Sequence, residues 1–138
     1  MKKSATAVLD AHGLRKTDIR LKVVDRLRAS QVAMSQPDLE LEFQNETDRV
    51  TIYRTLHTLE EKGVIHRIID LAGVSRYALC DETCDSHQHT DEHMHFHCLR
   101  CGNIYCLDIP ALPSYPLPLG YKLQNIRLSA EGSCPSCL

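Results

Sequence analysis

Apolar residues recur every three to four positions as far as residue 62, and in short runs or alternation after it. Thr17 or Asp18 caps a segment in which Ile19, Val23, Val24 and Leu27 keep helical spacing. Ser35, with Pro37 in the first turn, predicts a short helix carrying Leu39 and Phe43. Asp48 caps a third helix, in which Val50, Tyr53, Leu56 and Leu59 form one stripe and Gly63 marks the stop. That stripe places Arg49, Thr51, Ile52, Arg54, Thr55 and Thr58 nearer the opposite side, a short polar and basic face of a size that enters a DNA major groove. From Val64 to Leu71 and from Val74 to Cys80 run two β-rich stretches around Ala72-Gly73, a hairpin. With residues 72–74 as the loop, Leu71 pairs with Ser75 and His66 stands opposite Cys80. Three helices followed by a hairpin is the order of a winged helix, whose third helix reads DNA.

The polar, aperiodic stretch 81–92 marks a boundary. Beyond it lie strand candidates at His93–Cys98, Asn103–Leu107 and Tyr121–Leu128, and a proline-rich passage through Pro110, Pro113, Pro116 and Pro118. The fold class is therefore α+β. A DNA-binding winged-helix domain spans residues 1–83, a histidine-rich linker 84–92, and a small, mostly β, α/β domain 93–138. At 138 residues, two such halves have thin cores and need a metal, disulfides or a partner subunit. The formal net charge of -2 is unevenly spread, +5 over residues 1–30 and -2 over 84–138, so only the front attracts polyanions. No apolar run suggests a signal peptide or a membrane span, and a cytoplasmic chain with no membrane partner is expected. In that compartment paired thiols serve metals more often than disulfides.

Seven cysteines and eight histidines carry the chemistry. Cys98-x2-Cys101 and Cys134-x2-Cys137 each place two thiolates on a tight turn; two such turns make a closed tetrahedral shell suited to structural zinc. In the strand that holds His93, His95 and His97, residues two apart share a face, so the histidines point one way and Met94, Phe96 and Cys98 the other. One strand can thus serve two metals. His66 and Cys80 on the hairpin, with His93 and His95 across the linker, make a second set of three imidazoles and one thiolate that bridges the two halves. Cys84, His87, His89, His97 and Cys106 are further donors.

The chain resembles the Fur family of metal-dependent repressors over nearly its whole length. The resemblance lies in Gly13-Leu14-Arg15 before a helix, Thr51-Ile52-Tyr53-Arg54-Thr55-Leu56, Glu61-Lys62-Gly63-Val64-Ile65, and His-x-His-x2-Cys-x2-Cys-Gly at 93–102 closing on Cys134-x2-Cys137. It implies a homodimer that binds double-stranded operator DNA when its sensing site is filled, with the second half as dimerisation domain, and Arg15, Thr51, Tyr53 and Arg54 facing DNA. Iron- and peroxide-sensing members carry a sensing histidine ahead of the third helix, where this chain has Val32-Ala33-Met34. Tyr77-Ala78-Leu79-Cys80 is similar to the zinc-sensing Zur branch, and thiolate plus imidazole suits zinc. The expected cofactors are one structural and one regulatory Zn2+ per chain, with the trio that joins Cys80 left open by the extra linker donors. Glu92, Met94 and Pro113 stand where members with a third metal site carry ligands, so no such site is expected in its usual form.

A zinc-responsive repressor of zinc-uptake genes is the reading these features favour over an iron- or peroxide-responsive relative. It is also favoured over a zinc hydrolase, since a closed four-ligand shell leaves no position for water. A zinc buffer or chaperone gives no reason for a reading helix. The chain is expected not to be an enzyme.

Overall fold

The computed structural model describes residues 4–79, 94–107, 117–123 and 128–138. The elements run α1 (Ala5–Ala11), α2 (Asp18–Ala29), β1 (Met34–Ser35), α3 (Gln36–Glu42), α4 (Arg49–Glu61), β2 (Ile65–Ile69) and β3 (Ser75–Leu79). Then follow β4 (Met94–Cys98), β5 (Ile104–Leu107), β6 (Leu128–Gly132) and a 3-10 turn at Pro135–Cys137. Each expected helix starts at its cap. Thr17 accepts from the Arg20 amide, Ser35 and Asp38 form a reciprocal capping box, and Asp48 accepts from the Thr51 amide at 2.7 Å. The short α1, which the sequence reading did not anticipate, is capped by Ser4 and buries Ala5 and Leu9 against α2.

The core of the first half is built from Leu9, Val23, Val24, Leu27, Leu39, Phe43, Leu56 and Leu59. Helix α4 is rotated from the expected setting. Ile52, Thr55, Leu56 and Leu59 are its buried residues, while Val50 and Tyr53 are 55% and 58% exposed. Two apolar stripes that share Leu56 and Leu59 compete on this helix, and the one that adds Ile52 rather than Val50 and Tyr53 wins the core. Thr55 can join it because its hydroxyl donates to the Thr51 carbonyl at 2.7 Å.

Strands β1, β3 and β2 form one sheet, the wing, with Ile69 paired to Ser75 and His66 to Ala78. His66 is thus not opposite Cys80 as expected. The three-residue loop lies one position earlier, at 71–73, so the register moves by two and every side chain keeps its face. Asp70 sets that loop. Its carboxylate accepts from the Ala72 and Val74 amides at 2.9 Å each and from Arg76 at 2.9 Å, while Gly73 takes φ +85°.

In the second sheet, order β5-β4-β6, β5 is antiparallel to β4 and β6 parallel to it. The last strand starts at Leu128, where the sequence reading had it end; Tyr121–Leu123 are exposed and not in a strand. Parallel pairing puts Gly132 beside Cys98, and the Leu99 amide donates to the Gly132 carbonyl at 2.7 Å. A Cβ at Gly132 would lie 3.0 Å from the tip of the Phe96 ring, so any other residue here would make that ring shift by a few tenths of an ångström. The expected linker 84–92 and most of the proline-rich passage lie outside the described residues.

The two sheets meet through residues 32–35. Met34 and Ser35 pair with the wing, while Val32 bridges Tyr105 and the Ala33 amide donates to the Ile104 carbonyl at 2.9 Å. Ala33, Ile68 and Ile104 are buried together there, with Ala78 against them. Among the described residues no helix is long and apolar enough to cross a membrane.

Arg76, then the Val74 and Ala72 amides, hold the Asp70 carboxyl below its ordinary range. A carboxyl whose folded pKa is depressed stabilises the fold above its unfolded pKa and loses that contribution as pH falls through the folded one. Asp70→Ala should therefore cost about 1–3 kcal/mol at neutral pH. Its gap from the parent in denaturant unfolding should shrink below about pH 4.

Candidate metal centres and nucleic-acid face

Cys98 ends β4, and the tight turn after it returns Cys101 to the same place, with the Cys98 amide donating to the Asn103 carbonyl at 3.0 Å. Cys134 precedes the 3-10 turn and Cys137 ends it, where the Cys137 amide donates to the Cys134 carbonyl at 2.9 Å. All four sulfurs lie within 4.8 Å of one another, Cys98 and Cys134 buried and Cys101 exposed. Arg100 holds the tail in place by donating to the Cys137 carbonyl at 2.8 Å.

Backbone amides aimed at Cys98, those of Cys101 and then Cys134, lower its thiol to about 6. The Tyr105 hydroxyl does most to lower Cys134, and the same bond pushes Tyr105 up to about 12. Cys137 is pushed up to about 12, chiefly by its bond to Cys134. The donor set is thus four sulfurs at chelating separation, with fixed amide and hydroxyl donors favouring two of them as thiolates.

A second group assembles where the halves meet. His66 is buried on β2, and its ring stacks on that of His95 with centroids 5.2 Å apart. The β4–β5 register puts Cys106 opposite His95, and its Sγ lies 3.8 Å from His66 Nε2. Donor atoms of His66, His95 and Cys106 all fall within 4.8 Å of one another. Two of the four regulatory residues read from the sequence therefore come together, joined by Cys106, which the sequence reading placed only among further donors. Cys80, His93, Cys84, His87 and His89 lie outside the described residues. His97 is buried and belongs to neither group, its Nδ1 without a partner among the described residues. Counting outward from the Cys98–Cys101 turn would have found Cys106, since antiparallel pairing about that turn fixes its neighbour.

Arg49, Val50, Tyr53, Arg54 and His57 make the outer face of α4, with Thr51 half-buried beside them. The Tyr53 and His57 rings lie 6.2 Å apart at 14°. Arg15 is exposed between α1 and α2, and its carbonyl accepts from Arg20 at 3.0 Å. His57 was missed by the sequence reading, although its spacing of four from Tyr53 puts both on one face.

The model of the Ferric uptake regulator family matches residues 11–114. No curated protein sequence matches the chain. Among solved structures it is similar to the ferric uptake regulator of Helicobacter pylori, at 19% identity and TM-score 0.65, covering 99% of this chain and 97% of that one. It is similar as well to the ferric uptake regulator of Vibrio cholerae, at 22% identity and TM-score 0.63, covering 94% and 98%. A third is a zinc uptake regulator complexed with zinc and DNA, at 23% identity and TM-score 0.63, covering 96% and 89%. At these identities the likeness speaks to the fold.

Removing a hydrogen bond that orients a ligand typically costs 10- to 100-fold in metal affinity. Tyr105→Phe should accordingly weaken metal retention at the four-sulfur group by about that factor. Competition with a chelator measures it, and unchanged retention would show that the hydroxyl does not tune Cys134.

Proposed function

The chain belongs to the ferric uptake regulator family of metal-responsive transcription regulators, which are not enzymes, and on that premise we propose that it is a zinc-responsive repressor binding operator DNA as a homodimer. The observation that carries the zinc assignment is the convergence of His66, His95 and Cys106. Two imidazoles and a thiol are a borderline-soft set that suits zinc better than Fe(II) or Mn(II). Cys80 and His93 are the sequence candidates for completing it. An ion held there supplies a tie between the wing and the second sheet. The four cysteines have no such position between the halves, and in this reading they hold the structural zinc.

The rest of the assignment follows from surfaces. One face of the second sheet carries Met94, Phe96, Leu107, Leu128 and Ala130, all half-exposed in the single chain. Leu117, Leu119, Tyr121 and Leu123 are exposed as well. Apolar side chains left open to this extent support a second copy as partner. Two copies would present two α4 helices to successive major grooves of one duplex. Arg15, Thr51, Tyr53 and Arg54 are the residues we assign to DNA. His66 ties the angle of each reading domain to the sensing site, because it sits on the same wing that packs against α4.

Cys106→Ala should keep one tightly held zinc per chain and the dimer while losing the zinc-dependent part of operator affinity. Zinc per chain and operator binding across a free-zinc titration check this, and curves superimposable on the parent's would remove Cys106 from sensing. Activation of the parent by Fe(II) at lower free concentration than zinc would move the protein to an iron-responsive role.

Arg54→Ala should weaken operator binding by about 1–3 kcal/mol at matched salt, with zinc content and dimerisation unaltered. Equal affinity of mutant and parent would take α4 out of the interface.

A further inference from the structure

Helix α4 has a second stripe that the core does not use. Residues 50, 53, 54 and 57 stand at i, i+3, i+4 and i+7, the spacing of a single helical face. The core is already served by Ile52, Leu56 and Leu59. Val50 and Tyr53 nevertheless lie more than half exposed, and Arg54 and His57 are exposed with them. An apolar residue, two rings and a cation left together on the outer face of one helix have no use in folding.

The rings are also paired. Tyr53 and His57 lie nearly parallel, 14° apart with centroids at 6.2 Å, so each restricts the other's rotamers. A side chain held in place before binding loses less entropy on binding. Arg49 and Arg54 border the pair with positive charge, which fits a polyanion. Within B-form DNA the one apolar mark on a base edge in the major groove is the thymine C5-methyl. Double-stranded RNA is a poor match, because its major groove is too deep and narrow for side chains to read.

We infer that His57 is a further specificity-determining residue, which with Tyr53 forms an offset aromatic pair that packs on thymine methyl groups in the major groove. The inference rests on the DNA-binding role of α4 proposed above. Arg54 supplies hydrogen bonds and charge beside the pair, and the pair supplies discrimination that charge cannot.

The test uses zinc-loaded full-length protein and a duplex that it selects from a random pool, prepared once with thymine and once with uracil, which lacks only the methyl. The parent should bind the uracil duplex more weakly, by about fourfold for each methyl removed from contact. His57→Ala should weaken binding to the thymine duplex and bring the ratio between the two duplexes close to one. His57→Phe, which keeps a ring against Tyr53, should retain the parent's ratio. A parent indifferent to the methyl, a parental ratio in His57→Ala, or loss of the ratio in His57→Phe would each overturn the inference. Arg54→Ala should lose affinity for both duplexes alike. If it binds both as the parent does, or if the parent selects no duplex, the fault lies with the DNA-binding reading instead.

Discussion

The two-residue repeat of β4 is the constraint on which the metal chemistry depends. Because successive side chains alternate, His95 faces the wing while Cys98 joins the cysteine group from the opposite side. Phe96, between them, shares the face of Cys98 and packs on Gly132, which admits the parallel strand β6 and so the final cysteine pair. A one-residue slip of β4 would exchange the faces and dismantle both donor groups at once. Both neighbouring strands are registered against it, β5 by a tight turn and β6 by the return of the tail to Cys98.

Much of this was legible in the chain because local signals are strong. Caps at Ser35 and Asp48, and at Thr17 as one of the two candidates Thr17 and Asp18, were correctly placed, since a side-chain oxygen beside orphan helix amides has few other uses. The cysteine spacing identified four residues that the structure brings to one point. What failed was longer-range. On α4 the stripe through Val50 and Tyr53 and the stripe through Ile52 and Leu56 are both plausible cores by spacing, and only packing against α2 and α3 selects between them. The wing register depended on Asp70, whose carboxylate gathers two amides and a guanidinium and so fixes the loop one residue earlier than spacing suggested.

Cys106 illustrates the same divide. It stands five residues after Cys101 without a partner motif, and only its pairing about the Cys98–Cys101 turn sets it apart from a small buried hydrophobe. Its proximity to His66 crosses forty positions of sequence and depends on docking of the wing against β5. Pairing within the second half would have put Cys106 opposite His95; bringing His66 there required the other half.

The segment 32–35 belongs to both sheets, and this gives the protein an internal reporter. The Ala33 amide is committed to the Ile104 carbonyl, across the junction between the halves, in a buried apolar patch. Solvent reaches that amide when the contact between wing and second sheet is lost. Its hydrogen-exchange rate therefore follows every opening that breaks the junction, whether the sheets separate or one half unfolds. A single backbone proton, native to the chain, thus reports on the junction between the two sheets.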